Sequence, residues 1–285
     1  MNEYSQLQRI AIRRPEQAFG SQEQVSKQWR ELNYHSEPDF DEAVAEYGAL
    51  VEVLAQTGAE IIELGPMEQA NLDSIYVRDS LIVSTKGLVK AGMGKAQRQA
   101  EPAENARLLY ENGENIAGEI ELPGMVEGGD LVWLDDETLL AGLGYRTNQQ
   151  GVDQLHAILG AGVSIETFDL PHFKGPRDVF HLMSVLSPVD ENLAVVYLPL
   201  MPVRLAQYLE SRGIGFVEVP DDEFHSMGCN VLAIAPRHVV MVAGNSETER
   251  RLKDAGCTVD VIKADEISRK GEGGPTCLTR PLVRA

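Results

Sequence analysis

A cysteine in a glycine-rich segment is the first residue of this sequence with the potential for covalent chemistry. Cys277 follows residues 271–276, in which three of the first four positions are glycine. Such a loop can turn its backbone N–H groups toward a sulfur atom, which predicts a thiol pKa below the usual value of about 8.5. A small buried cysteine is the alternative. We assign Cys229 and Cys257, which flank ordinary strand patterns, to the core.

A histidine and a carboxylate could activate such a thiol. His181 stands in an apolar, strand-like run at residues 179–185, where a hydrogen-bonded core histidine is the alternative. Glu127 precedes Gly128 and Gly129, which let the backbone come close to a ligand, and a simple turn acid is its alternative. Cysteine, histidine and an orienting carboxylate form the general arrangement for covalent catalysis at carbon. The other histidines lack metal-binding spacing, so no metal site is predicted.

Two carboxylates and two guanidinium groups predict how a ligand is held. Asp73 and Asp79 lie six residues apart on a segment that we interpret as extended, and so on one face. Two carboxylates on one face repel each other unless a cation lies between them. Arg98 and Arg146 are candidates for binding a ligand carboxylate, since a guanidinium group binds one through two hydrogen bonds. Solvated edge acids and ordinary surface arginines are the alternatives.

The charge of the chain narrows the class of ligand. The 285 residues include 25 Lys+Arg and 44 Asp+Glu, for a formal net charge of −19. Nucleic acid and anionic membranes are excluded as default partners, because both are bound by clustered cations. A thiol, an imidazole and several acids in an acidic protein indicate a cationic substrate with an electrophilic carbon, and a guanidinium group fits this description. A cysteine protease would share the cysteine and histidine, but this alternative would explain neither the paired carboxylates nor the internal repeat.

This internal repeat predicts the elements that position the reactive residues. Five helical patterns each end at a glycine and are followed by a strand pattern, at intervals of roughly 50 residues. In the last helix, Ser246 and Glu249 form a capping-box pattern. The helices are predicted at residues 41–57, 101–112, 148–159, 202–212 and 246–255, and the strands after them at 60–64, 119–122, 164–168, 216–219 and 258–262.

Two further strand patterns precede each helix, for example residues 74–77 with 80–83, or 231–235 with 239–242. Each unit therefore runs strand, strand, helix, strand. Fivefold repetition favours radial closure, so we predict an α/β fold that forms a five-bladed α/β-propeller, with residues 1–285 as a single catalytic domain. An open Rossmann-type sheet is the alternative, although no GxGxxG motif follows an early strand and no P-loop is present. In a closed radial fold, strand ends converge around the axis, so motifs distant in sequence can share one site.

Five short motifs occur in order along nearly the whole chain. They are residues 10–15 (IAIRRP), 76–79 (YVRD), 127–130 (EGGD), 146–148 (RTN) and 273–277 (GGPTC). Each is weak alone, but in this order they resemble the guanidino-group-modifying superfamily of dimethylarginine dimethylaminohydrolases, arginine deiminases and amidinotransferases. The fold of that superfamily is a five-bladed α/β-propeller, called a pentein, which agrees with the repeat.

The resemblance implies a role for each matching residue. Cys277 would be the nucleophile, His181 the general acid and base, and Glu127 the carboxylate beside that histidine. The thiolate would attack the guanidinium carbon, an amine would leave, and water would hydrolyse the S-alkylthiouronium intermediate, with citrulline as the expected product. The residues implied to bind substrate are Asp73 and Asp79 for the guanidinium nitrogens, and Arg98, Arg146 and, third, Arg78 for the α-carboxylate.

The position two residues after the histidine bears on which amine leaves. Deiminases and amidinotransferases of this superfamily typically have aspartate there, whereas this chain has Met183 followed by Ser184, similar to the dimethylarginine hydrolases. Loss of a carboxylate removes a reason to require free N–H donors, which favours a methylated arginine. The segments around Cys277 and Asp79 look more like the deiminase pattern, so arginine deiminase, dihydrolase or amidinotransferase activity on free arginine stays open.

A binding protein is the alternative from another class. The ribosome-binding initiation factor 6 is similar in its fivefold propeller and lacks such a catalytic set, so the fold alone permits it. The joint presence of a cysteine, a histidine and a glutamate favours the enzyme. We predict no cofactor, a small guanidino compound as the partner, and a cytoplasmic location, since no targeting segment opens the chain and three cysteines suit a reducing compartment. The oligomeric state is left open, with a homodimer as one candidate.

Overall fold

The structure is a computed structural model that describes residues 1–68 and 71–285. Within these residues, the strands form five separate three-stranded sheets. The strands are β1 (Leu7–Ile12), β2 (Glu60–Glu63), β3 (Leu81–Ser84), β4 (Gly87–Lys90), β5 (Ile116–Glu119), β6 (Leu131–Trp133), β7 (Thr138–Leu143), β8 (Ser164–Asp169), β9 (Leu186–Asp190), β10 (Leu193–Val196), β11 (Gly215–Glu218), β12 (Leu232–Ala235), β13 (His238–Val242), β14 (Thr258–Ile262) and β15 (Thr279–Arg284).

Helices connect the strands. They are α1 (Pro15–Ala18), α2 (Gln22–Gln28), α3 (Phe40–Gln56), α4 (Glu101–Glu111), α5 (Gln149–Leu159), α6 (Val203–Ser211), α7 (Asp221–Phe224) and α8 (Ser246–Asp254). Short 3₁₀ helices lie at Leu72–Ile75, Ala96–Arg98, Gly128–Asp130, Leu182–Ser184 and Leu198–Leu200, and a π-helix lies at Asp265–Arg269. Within the described residues, no helix is both long enough and apolar enough to cross a membrane.

Every sheet follows one pattern. A middle strand pairs antiparallel with the strand before it and parallel with the strand after the helix, as in β3–β4–α4–β5. In the fifth sheet the middle strand is β1, which pairs antiparallel with β15 and parallel with β2. The first and last strands of the chain thus share a sheet, as expected for a repeat that closes on itself. The predicted strand, strand, helix, strand unit is confirmed in all five sheets.

Local signals explain the helices well. The glycines that end the five long helices all adopt a positive φ, between 74° and 91°, which is the left-handed conformation that glycine favours. In α3, Asp39 caps the first turn by accepting a hydrogen bond from the Glu42 amide at 2.9 Å. The buried face of α3 carries Tyr47, Leu50 and Leu54, which pack in one apolar cluster with residues of β1.

Three local predictions are wrong. Residues 74–77 form no strand, because the Asn71 side chain accepts the Asp73 amide at 3.0 Å and starts a 3₁₀ turn. The strand expected at 119–122 lies at Ile116–Glu119, in parallel register with β4. Helix α8 has no capping box, because its first amides are bound elsewhere. Glu223 accepts the amides of Glu247 at 2.7 Å and Thr248 at 2.8 Å.

Candidate active site

One cavity collects most of the chemically reactive residues. Its lining combines segments that follow strands of different sheets, together with the loop at residues 173–180. Glu127 lies directly behind this surface, fully buried, and its neighbour Gly129 forms part of the wall. The lining includes six of the eight predicted site residues: Asp73, Asp79, Arg98, Arg146, His181 and Cys277.

The glycines before Cys277 allow close packing of its loop. A Cβ on Gly273 would lie 2.4 Å from a Tyr76 ring carbon, and one on Gly274 would lie 2.5 Å from the side-chain oxygen of Asn230. Asn230 Nδ2 donates to Cys277 Sγ at 3.4 Å, while its Oδ1 accepts the Thr276 amide at 3.0 Å. The loop is thereby fixed against the wall of the cavity.

The direction of the Cys277 pKa corrects our expectation. Burial raises the pKa of the thiol, and the negative charge of Asp79 adds to this effect. The hydrogen bonds from Asn230 and Thr276 oppose it without reversing it. The glycine-rich loop was expected to lower this pKa, but it serves close packing. The free site therefore holds a thiol, and a cation beside the sulfur is needed to form the thiolate at neutral pH.

Glu127 and His181 form a buried charged pair. His181 Nε2 lies 2.9 Å from Glu127 Oε2, and Arg146 Nη1 donates to the same carboxylate oxygen at 3.0 Å. The Gly94 amide donates to the other oxygen at 2.9 Å. Burial would raise the pKa of Glu127, but the hydrogen bond with His181 and the charge of Arg146 outweigh it and lower the pKa to about 2. Glu127 is therefore ionised at neutral pH.

His181 carries a proton at neutral pH for the complementary reason. Burial would lower its pKa, but the negative charges of Asp130, Asp79 and Glu127 raise it to about 9. Burial raises the pKa of Asp130 itself to about 6. His181 is not on a strand as expected but directly precedes the 3₁₀ helix Leu182–Ser184, where its amide donates to Ser184 Oγ at 3.0 Å. The imidazole is thus poised as a general acid.

Close packing against Gly129 fixes the histidine ring. A Cβ on Gly129 would lie 2.5 Å from His181 Nδ1, so only glycine fits under the imidazole. The same nitrogen lies 3.9 Å from Asp79 Oδ1. The second glycine of the EGGD motif is therefore explained by its contact with the histidine. A neighbouring hydrogen bond joins the same two segments, since the Leu182 amide donates to Asp130 Oδ1 at 3.0 Å.

Asp73 and Asp79, the two predicted aspartates of the wall, each have a cationic partner. Arg98 Nη1 donates to Asp79 Oδ2 at 2.6 Å, and Lys95 Nζ lies 2.6 Å from Asp73 Oδ2. The other oxygen of Asp79, Oδ1, is buried and has no hydrogen-bond partner among the described residues. A buried carboxylate oxygen without a donor is costly, so this atom is suited to receive an N–H group from a ligand. The aspartates reach the cavity from a 3₁₀ helix and a turn, not from one face of an extended strand.

Arg98 differs from its predicted role. Its guanidinium donates to both oxygens of Glu101 at 2.8 Å and to Asp79, and the residue is 2% exposed. A ligand carboxylate approaching this group would meet the charges of Asp79 and Glu101. The geometry is therefore against direct binding of the α-carboxylate and assigns Arg98 to holding Asp79 in place.

Arg146 and Arg78 line different cavities. Arg146 lines the cavity, and its hydrogen bonds to Glu127 go through Nη1 alone. Arg78 lines a second cavity and donates to the carbonyl of Thr276 at 2.8 Å. The expectation that Arg78 binds a substrate carboxylate in the first cavity is therefore wrong.

Several wall residues were missed in the sequence. Lys95 follows glycines at positions 92 and 94, a context that could have marked it. Asn230 has no such local signal, because its role depends on contact with a loop 46 residues away. Lys174 and Arg177 add positive charge at the exposed loop of the cavity.

Three buried groups are close enough to hold a metal ion. Ligand atoms of Asp79, Glu127 and His181 lie within 4.8 Å of one another. The two carboxylates, however, already accept hydrogen bonds from Arg98 and Arg146, respectively. Two adjacent guanidinium groups oppose binding of a further cation, so the arrangement favours proton transfer between acids and the imidazole.

Replacing Arg98 with Met tests its assignment as a structural residue. The change leaves Asp79 and Glu101 as buried charges without their partner, so we expect the free energy of unfolding to fall by about 3–5 kcal/mol. Urea denaturation measures this value. Arg107→Met is the matched control, because Arg107 pairs with Glu104 and Glu111 on an exposed surface, where such pairs contribute about 0–1 kcal/mol. Equal, small losses in both variants would refute the assignment.

Comparison with known proteins identifies the family. The family model for arginine deiminase matches residues 63–206 and 197–284. The chain belongs to the arginine deiminase family. The superfamily recognised from the motifs is thus confirmed, and with it the prediction of an enzyme of the amidine-hydrolase type.

Individual relatives and solved structures illustrate the similarity. A dimethylarginine dimethylaminohydrolase of Streptomyces coelicolor is 29% identical over 85% of this chain and 86% of its own length. A mutant of the dimethylarginine dimethylaminohydrolase of Pseudomonas aeruginosa, solved with citrulline, has a TM-score of 0.76 at 24% identity over 96% of this chain and 98% of its own. The N-terminal domain of ArgZ, an arginine dihydrolase of cyanobacteria, has a TM-score of 0.82 at 20% identity, covering 98% of each chain. The two structures confirm the predicted pentein fold.

Proposed function

We propose that this member of the arginine deiminase family is a cysteine hydrolase that acts on the guanidinium carbon of arginine or, preferentially, of a methylated arginine. The single observation that carries the proposal is that Cys277, His181 and Asp79 line one cavity, where Asp79 Oδ1 has no hydrogen-bond partner among the described residues. A guanidinium group offers this oxygen an N–H donor and offers the sulfur an electrophilic carbon. The hydrolase chemistry of the relatives supports the same conclusion.

The bound cation activates the nucleophile. Burial and Asp79 keep Cys277 protonated in the free site, but a guanidinium beside the sulfur supplies the positive charge that favours the thiolate, and the thiol proton passes to water. The thiolate attacks the guanidinium carbon and forms a C–S bond. His181, already protonated, donates its proton to the departing amine as the C–N bond breaks.

The second half of the reaction restores the enzyme. The neutral imidazole accepts a proton from a water molecule, which attacks the carbon of the S-alkylthiouronium intermediate. The C–S bond breaks, the sulfur leaves with its electron pair, and a ureido product is released. Glu127 stabilises the imidazolium of His181 in each cycle through the 2.9 Å contact between them. The net change is hydrolysis of one C–N bond.

The far end of an amino-acid substrate meets positive charge. Arg146 and Arg177 line the cavity together with Lys174, which pairs with Asp178 and Glu272 of the same wall, and a neighbouring groove is also lined by Arg30 and Lys95. Guanidinium groups bind carboxylates through paired hydrogen bonds, so we propose Arg146 and Arg177 as ligands for the α-carboxylate. Asp73 with Asp79 remains our proposal for the guanidinium nitrogens.

Apolar lining supports a methylated substrate. Met183, two residues after His181, is 3% exposed and lies in the cavity wall. Phe173, Phe180 and Phe224 add further apolar surface. N-methyl groups gain from such surface and cannot use an additional carboxylate there.

Substrate choice is tested by a panel of arginine, monomethylarginine, asymmetric dimethylarginine and agmatine. Ureido product and released amine are measured for each compound. We expect citrulline and a methylamine to form fastest. Ammonia released from arginine at a higher kcat/KM would identify a deiminase instead, and transfer of the amidino group to an added amine without ureido product would identify an amidinotransferase. No turnover with any compound would favour a binding protein.

Replacing Met183 with Asp should shift this preference. The new carboxylate offers an acceptor to an unsubstituted nitrogen, so we expect the ratio of kcat/KM for arginine over dimethylarginine to rise about tenfold or more. Met183→Leu is the matched control, because it keeps the apolar volume and should leave the ratio within about twofold. An unchanged ratio in Met183→Asp, with the variant folded, would contradict the role of this position.

Three further predictions belong to this proposal. Residues 1–285 act as a single catalytic domain, the protein acts in the cytoplasm, and a homodimer is the candidate assembly. Each rests on the sequence alone.

A further inference from the structure

A second cavity lies behind the loop that carries Cys277. It has a volume of about 240 Å³, and no described residue lines both this cavity and the first. Its walls come from both ends of the chain and include strands of three sheets. They comprise Met1, Asn2, Glu3, Ser5, Arg78, Val83, Trp133, Asp136, Arg280, Pro281, Leu282, Arg284 and Ala285.

Three arginines dominate this cavity. Arg78 is 1% exposed and Arg280 is 6% exposed, and Arg284 is half-buried beside them. Arg284 donates to the carbonyls of Ser5 at 2.6 Å and Ala233 at 2.9 Å. The Nε atoms of Arg280 and Arg284 are buried and have no hydrogen-bond partner among the described residues. Both arginines line the cavity, and each keeps one guanidinium donor that no described residue accepts.

Negative charge in the cavity does not balance these cations. Glu3 is buried there and lies 3.3 Å from Arg78 Nη1. The other acidic side chain in the lining, that of Asp136, is exposed and pairs with the amino group of Met1. In the part of the chain that the structure describes, no ion pair within 4 Å reaches Arg280 or joins the Ala285 carboxylate to an arginine.

The surroundings of Arg280 disfavour its charged form. Burial lowers the pKa of its guanidinium to about 9, and the positive charge of Arg78 contributes to this shift. Buried like charges repel each other unless an opposite charge neutralises them. Such an excess of cations is unexpected in a chain with a net charge of −19. The donors and charges of the cavity are therefore arranged to receive an anion.

We propose that this second cavity binds a small oxyanion, with Arg280 and Arg284 as its main donors and Arg78 at its inner end. A volume of about 240 Å³ accommodates an oxyanion with some of its water, since one water molecule takes about 30 Å³. Planar guanidinium groups bind phosphate and carboxylate oxygens through paired hydrogen bonds. The site is separate from the proposed catalytic cavity, so it stands or falls independently of the proposed function.

The site also contacts the nucleophile loop from behind. Arg78 Nε donates to the Thr276 carbonyl at 2.8 Å, and the Arg78 amide donates to the Cys277 carbonyl at 3.3 Å. A bound oxyanion would hold Arg78, and through it the backbone on both sides of the reactive cysteine. Binding is therefore expected to stabilise the folded protein.

Inorganic phosphate is the probe for the test. Calorimetric titration of the whole protein should give saturable binding of about one phosphate. The midpoint of thermal unfolding should rise by about 5 °C at a hundredfold excess of phosphate over its Kd, relative to chloride at the same pH and ionic strength. Sulfate should compete with phosphate. The absence of saturable binding would overturn the proposal.

Three variants separate this site from others. Arg280→Met should be at least as stable as the wild type in chloride, because it removes a repulsive charge, and should lose phosphate binding by tenfold or more. Glu3→Gln should bind phosphate more tightly, since it removes the one buried competing anion, and it serves as the test if Arg280→Met does not fold. Arg177→Ala, a change in the first cavity, should bind phosphate like the wild type. Loss of binding in Arg177→Ala with retention in Arg280→Met would refute the assignment and place phosphate in the first cavity.

Discussion

Replacing Cys277 with Ser should lower kcat by about 10⁴-fold or more, because a serine hydroxyl in this buried acidic cavity lacks the nucleophilicity of a thiolate. The side chains differ little in size, and the contacts with Asn230 and Thr276 remain available to a hydroxyl group. KM for substrate should change much less than kcat. Ureido product formation from the preferred guanidino substrate, measured across substrate concentrations, checks both values.

Selective alkylation provides the control for this result. A cationic haloacetamidine should modify one cysteine, and a guanidino substrate should protect it, whereas Cys277→Ser should resist modification. Cys257→Ser is the matched variant, because Cys257 is buried in an apolar cluster and does not line the cavity. It should retain activity within about twofold. Activity in Cys277→Ser close to that of the wild type would disprove the covalent mechanism.

Local sequence signals were sufficient for most of the fold. The five helix-ending glycines mark conformations with positive φ that depend only on the residue itself and its immediate neighbours. Their recurrence fixed the repeat and therefore the sheet pattern. A local turn replaces the strand predicted at 74–77, whereas a tertiary pairing decides the position of the strand predicted at 119–122. The turn at Asn71 and the pairing of Ile116 with Leu88 override the β-propensity of the residues involved.

The sequence predicts which residues form the candidate site better than it predicts their ion pairs and pKa shifts. Motifs located Cys277, His181 and Glu127, since each occurs in a recognisable short segment. The partners of Arg98 and the sign of the Cys277 pKa shift depend on burial and on charges brought from distant segments. A guanidinium group in a sequence can bind either a ligand or a neighbouring acid, and only the distances decide between the two.

The two cavities differ in the charge of the ligand that they are suited to bind. The cavity at Cys277 holds the unpartnered carboxylate oxygen of Asp79, which suits a cation, whereas the cavity behind it holds unpartnered guanidinium donors of Arg280, which suit an anion. Residues 78 and 79, adjacent in the chain, face these two environments. The YVRD motif therefore supplies one charge to each side of the nucleophile loop.

Replacing His181 with Ala should separate the two halves of the reaction. The variant lacks the acid for the departing amine and the base for water, so we expect kcat to fall by about 10²–10⁴-fold or more. With a guanidine analogue whose leaving group needs no proton, attack by Cys277 should still occur, and the covalent adduct should persist because no base activates water. Intact-protein mass spectrometry detects the adduct on Cys277.

The pH dependence of kcat/KM in Glu127→Gln gives the matched comparison for His181→Ala. The pKa of about 9 for His181 places the loss of its acidic form above pH 9 in the wild type, since the group is protonated below its pKa. Replacing the charged Glu127 with a neutral amide of the same shape removes an interaction that favours the imidazolium, so the basic limb of kcat/KM should move to lower pH. His181→Ala should lack this limb. An unshifted limb in Glu127→Gln, or rapid hydrolysis of the adduct in His181→Ala, would show that another group transfers the proton.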